Sequence, residues 1–150
     1  SPLRGWRLAF SAEYGQAAFK SEGWLNVVEP LRTTVFSASL QHDYAPSWLR
    51  LFGGYGRFEL SVSQPLRIES GEMSYVAPEA TAYGYESLTF RPRFIDVTPS
   101  GRELRFGLNY RYFAGDWFSA FTEALYVEDP NNIADAPSDF VVRFGIRLAN

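Results

Sequence analysis

The sequence predicts an all-β fold: an antiparallel transmembrane β-barrel, or part of one, with about seven to eight strands in this chain. Three observations predict it. Apolar and polar residues alternate one by one through several long segments, the two-residue period of a half-polar strand. Many of these segments run for ten residues or more, against the five or six usual in globular strands and the roughly ten that cross hydrocarbon. Thirteen Phe, nine Tyr and four Trp make 17% of the 150 residues aromatic, and aromatics favour strands and membrane interfaces.

The first strand is Trp6–Tyr14, with Trp6, Leu8, Phe10, Ala12 and Tyr14 on one face and Arg7, Ser11 and Glu13 on the other. Residues 16–33 lose the alternation, contain Gly23 and Pro30, and read as a connection with a short helical piece. The second strand spans Thr34–Tyr44. Pro46 and the group Gly53, Gly54 and Gly56 then read as a turn. Arg57–Glu69 is the strongest segment: Phe58, Leu60, Val62, Leu66 and Ile68 oppose Arg57, Glu59, Ser61, Ser63, Arg67 and Glu69. Pro65 lacks an N–H and marks a bulge or an unpaired position within it. Gly71–Pro78 reads as a short return strand, which makes the count eight rather than seven. Further strands are Glu86–Val97, Arg102–Phe113 and Asp116–Glu128. The turn signals Pro99-Ser100-Gly101 and Gly115-Asp116 lie between them. After a loop over 129–138 comes the last strand, Asp139–Asn150.

Alternation alone fits a two-sheet sandwich as well as a barrel; strand length and aromatic ends favour the barrel. In that arrangement Trp6, Leu8, Phe10, Phe58, Leu60, Val62, Leu104, Phe106, Leu108, Phe140, Val142, Phe144 and Ile146 face lipid or a protein partner. Arg57, Glu59, Arg67, Glu69, Arg91, Arg93, Glu103, Arg105, Arg111, Arg143 and Arg147 form a polar interior of mixed sign. The chain is read as one domain, 1–150. The start Ser1-Pro2-Leu3-Arg4 lacks the apolar core of a signal peptide. No apolar run is long enough for a transmembrane helix. A net charge of -3 gives no support to nucleic-acid binding, and the absence of cysteine excludes disulfides and thiolate chemistry.

Residues 60–71, reading LSVSQPLRIESG, resemble a stretch of the outer-membrane translocator barrel of autotransporters that carry subtilisin-like serine protease passengers. Residues 98–104 (TPSGREL) and 125–136 (LYVEDPNNIADA) are similar to later parts of the same barrels, and residues 10–15 and 35–40 match more loosely. The resemblance implies the C-terminal half to two-thirds of a barrel of about twelve strands. It implies a bacterial outer-membrane location, contacts with outer-membrane lipid and the barrel assembly machinery, and export or surface anchoring of a linked passenger. Nothing in the chain resembles the family's linker helix or passenger. Position 150 is Asn where such barrels end in Phe. These departures keep a structural barrel remnant in a larger outer-membrane assembly as an alternative, with added strands or subunits as partners. A small lipid-modifying outer-membrane enzyme is a third reading.

The sequence carries no compelling catalytic, cofactor or metal set. His42 is the one histidine, and no serine spacing selects a nucleophile to accompany it. Glu13, Glu59, Glu69, Glu103 and Glu123 lie on arginine-bearing faces, which opposes the raised pKa of a general acid. Asp129, Asn131, Asn132 and Asp135 lack the spacing of a calcium loop and read as an exposed turn. Gly53-Gly54-Tyr55-Gly56 lacks the Lys and helix of a phosphate loop.

Overall fold

The computed structural model describes residues 5–18, 24–45, 54–80 and 88–148. They form one seven-stranded antiparallel sheet. Its strands are β1 (Trp6–Ala17), β2 (Leu25–Tyr44), β3 (Gly54–Ala80), β4 (Leu88–Asp96), β5 (Leu104–Ala114), β6 (Phe118–Glu128) and β7 (Asp139–Leu148). The order across the sheet is β1-β2-β3-β5-β6-β7. β4 pairs with the far half of β3, Glu72–Ala80, whereas β5 pairs with its near half, Gly54–Ser63.

The sheet does not close. β1 and β7 stand at its two ends and pair only with β2 and β6 among the described residues. This overturns the expectation of a transmembrane β-barrel. A strand array spans hydrocarbon only when closure removes its edges, because unpaired backbone groups in lipid cost several kcal/mol each. The outer-membrane location and the autotransporter translocator resemblance are corrected with it. So are the remnant-subunit and lipid-modifying alternatives, which assumed the same barrel. No helix among the described residues is long and apolar enough to cross a membrane.

Three boundaries also differ from the sequence reading. β2 begins at Leu25, inside the expected connection. Its register against β3 shifts between Val27 and Glu29, between Glu29 and Arg32, and between Arg32 and Thr33. Each irregularity breaks the two-residue period, so the first half of β2 carries no legible alternation. The return strand near Tyr75 is the continuation of β3, which makes seven strands. At Gly71 the chain passes under Leu31, whose Cδ2 would clash with a Cβ there. The glycines at 54 and 56 lie within β3 rather than in a turn. Tyr112 and Tyr44 lie over them, at 2.6 and 2.9 Å from their missing Cβ positions. Gly53 lies outside the described residues.

The β5–β6 hairpin turns through Gly115-Asp116-Trp117, between the paired Ala114 and Phe118. Gly115 has φ +60, which a residue with a Cβ adopts at a cost. The β6–β7 loop contains a 3-10 turn, Pro130–Asn132. Asp129, Asn131, Asn132 and Asp135 all have positive φ, between 46 and 61. Asp and Asn are the side-chain-bearing residues that tolerate this conformation best.

Candidate functional site

The register aligns apolar side chains into rows that cross the sheet on one face. One row is Leu8, Leu40, Leu60, Leu108, Ala124 and Val142; its neighbour is Phe10, Ala38, Val62, Phe106, Tyr126 and Phe140. A third is Trp6, His42, Phe58, Tyr110, Thr122 and Phe144. Paired residues of an antiparallel ladder point the same way. Trp6, Leu104 and Ile146 therefore join this face too. The first two rows bound a shallow apolar groove that runs across six strands, perpendicular to them.

Nothing covers this face among the described residues. Phe144 is 85% exposed, Leu8 78% and Phe10 72%. Ala114 is the one buried hydrophobic residue among those described.

The opposite face carries Arg57, Glu59, Arg105, Arg111, Arg143 and Arg147. Arg143 pairs with Glu123 at 2.8 Å and Arg105 with Glu103 at 2.6 Å. Asp43 takes two guanidinium groups, from Arg57 at 2.7 Å and from Arg7. The hydrogen bond from Arg57 holds the Asp43 carboxyl below its usual range against the opposing effect of burial, and the charges of Arg57 and Arg7 add to this. Arg91 and Arg93 both reach Glu79 across the β3–β4 ladder, at 3.2 and 3.7 Å.

Arg67 and Glu69 do not continue the polar face. Thr34 and Phe36 of β2 are two residues apart, but their partners Arg67 and Gln64 are three apart. This bulge at Pro65 and Leu66 turns Arg67 and Glu69 to the side of Thr34. There they build a polar network at one end of the sheet. Gln64, 1% exposed, donates to Thr34 Oγ1 at 2.9 Å and accepts from Arg102. Glu69 accepts from Thr34, Arg67 and Arg102. The Thr34 hydrogen bond is the largest cause of its lowered pKa, followed among the favourable causes by the charges of Arg102 and Arg67. Arg67 also donates to the backbone oxygens of Gly101, at 2.9 Å, and Pro99, at 3.1 Å. The same loop meets the β6–β7 loop. Gly101 N donates to Asn132 O at 2.8 Å, and Glu103, 5% exposed, accepts from Asn131 N at 2.6 Å.

Gln64, Thr34 and Arg102 did not stand out in the sequence as site residues. Their one signal is Gln64-Pro65 inside an otherwise regular strand. Asn132 Oδ1 accepts from Glu103 N at 3.0 Å, so in this loop a side-chain oxygen serves the fold. Among the described residues no group of three or more His, Cys, Asp or Glu could hold a metal ion.

His42 lies in an aromatic cluster at the other end. It stacks on Trp6 with centroids 4.3 Å apart, and its Nδ1 is buried with no hydrogen-bond partner. Nearby, Tyr44 and Tyr110 share a hydrogen bond of 3.0 Å. That bond and burial push the Tyr110 phenol up to about 12. No serine hydroxyl bonds to His42 among the described residues, so a nucleophile-base pair is not assembled there.

No protein-family model, curated protein or solved structure matches this chain. The short likenesses to translocator barrels therefore stand without a matching relative.

Proposed function

We propose that this chain is a non-enzymatic structural module that supplies one sheet layer to a protein assembly. Its apolar face is covered by the apolar surface of another subunit. The observation that carries this reading is the uncovered face itself. Domains are built from at least two packed layers, because a sheet that is apolar on one side must bury that side. Here the described residues form a single layer. A second sheet packing about 10 Å away over the Leu and Phe rows would interdigitate with them. Several of the groups that could do chemistry are otherwise engaged: Glu69, Glu103 and Glu123 in ion pairs, and His42 in an aromatic stack.

A fluorescent apolar probe such as anilinonaphthalene sulfonate tests the reading on the purified chain. The face should bind the dye strongly. Leu60→Glu with Leu108→Glu, in the middle of one row, should lower the bound fluorescence several-fold while far-UV circular dichroism stays β. A chain that binds no dye, or a double variant that binds as well as the parent, would contradict it.

A further inference from the structure

The two edges of the sheet are not equivalent, and their charges distinguish them. β1 presents Trp6–Tyr14 as an edge with no proline, its outer backbone groups unpaired among the described residues. Such an edge is a template for another strand unless something specifies its partner. On the polar face of β1 stand Arg7 and Glu13, six residues apart. Among the described residues Glu13 has no basic partner. Arg7 bonds Asp43, which Arg57 also holds at 2.7 Å, so that carboxylate keeps a partner when Arg7 turns to a residue across the edge.

We propose that β1 pairs antiparallel with β1 of a second copy, about a two-fold axis at Phe10. That register sets Arg7 against the partner's Glu13, and Glu13 against the partner's Arg7. It sets Trp6 against the partner's Tyr14 twice, Leu8 against the partner's Ala12 twice, and Phe10 against itself. Both polar pairs lie on the polar face and every large apolar pair on the apolar face. The two copies then share one continuous sheet with its apolar rows on one side. Opposite-charge and aromatic pairs directly across an antiparallel ladder stabilise it.

The same charges discriminate against alternatives. Centring the axis on Arg7 or on Glu13 opposes like charges, which is destabilising. β7 is the poorer edge: the register that matches Asp139 with Arg147 along its length places Arg143 against Arg143. The pairing goes beyond the reading of the apolar face and leaves that face free, so the two fail separately.

The test uses the cysteine-free background of the chain. Residues opposed in an antiparallel pair have Cα atoms about 4.5–5.5 Å apart, within disulfide reach. Phe10→Cys in the full chain should give an oxidised dimer in mild detergent, and Phe144→Cys on β7 should give far less. Adding Glu13→Arg, or Arg7→Glu, should lower the dimer yield about tenfold. Adding both should restore it, since the pairs are re-formed with charges exchanged. Circular dichroism and dye binding should be unchanged throughout. A Phe10→Cys yield no greater than that of Phe144→Cys would overturn the proposal. So would single reversals without effect, or a double reversal that fails to rescue.

Discussion

Gln64→Met removes the centre of the bulge network while keeping the length of a side chain that is 1% exposed. Three interactions go with it. The amide donates to Thr34 Oγ1 at 2.9 Å and, at the long limit of 3.4 Å, to Thr34 O. Its carbonyl accepts from the Arg102 guanidinium. A neutral hydrogen bond contributes about 1 kcal/mol and one to a charged group about 1.5–3. The Thr34 hydroxyl bond therefore counts for about 1 kcal/mol, and the long contact for little. Arg102 is 46% exposed and keeps Glu69 at 2.8 Å, so solvent and the remaining partner cut its share to about 1 kcal/mol. The net loss is about 2 kcal/mol. With a urea slope of about 2 kcal/mol/M, the midpoint followed by circular dichroism should fall by about 1 M at unchanged slope. Combined with Thr34→Val, the two changes should couple by about 1 kcal/mol. A midpoint shift under about 0.2 M, or full additivity, would refute the placing of Gln64 at the centre of the network.

Gly101→Ala should destabilise the chain by about 1–3 kcal/mol in the same urea assay. The new Cβ would lie 2.5 Å from Ala134 N and 2.6 Å from Ile133 C, which are backbone atoms of the docked β6–β7 loop. A neutral result would mean that the two loops do not dock. Stability should also fall in acid. Asp43 and Glu69 are held below their ordinary values of 3.8 and 4.5. Above those values both are ionised in the folded and unfolded chains, and their contribution is complete. Below them the unfolded chain binds protons first, and the contribution is lost as pH falls through the folded values. The urea midpoint should thus drop between about pH 5 and pH 3, and Glu69→Gln should make that drop shallower. An equally steep drop in the variant would remove Glu69 from the account.

The strand character of this chain was legible because alternation is local: Leu8, Phe10, Leu60, Phe106 and Val142 each declare their face through their neighbours. Closure is not local. Nothing in Trp6–Ala17 or Asp139–Leu148 states whether these two strands meet, and the strand length and aromatic ends that favoured a barrel in the sequence occur here in an open sheet. Irregular pairing hid the rest. The first half of β2, around Pro30, lost its period to successive register shifts, so its strand character was invisible. The bulge after Gln64 moved Arg67 and Glu69 to the other face, where simple counting from Phe58 had placed Leu66 and Ile68. The network they join depends on Arg102 and on the loop at Gly101, more than thirty residues away. Only tertiary structure brings these together. The glycines at 54 and 56 were misread because turns and aromatic cover both require a missing Cβ.

In an open single layer β1 and β7 stand at opposite ends, and the distance between Leu8 and Val142, the two ends of one row, tests this most directly. Spin labels at Leu8→Cys and Val142→Cys, diluted with unlabelled chain to suppress contacts between copies, report that distance by pulsed electron resonance. Five strand spacings of about 4.8 Å place the two backbones about 24 Å apart, less any twist. A distribution centred near 20–30 Å would support the open sheet. A distance near 5 Å, with ready disulfide formation within one chain, would mean that β1 and β7 pair and would contradict it.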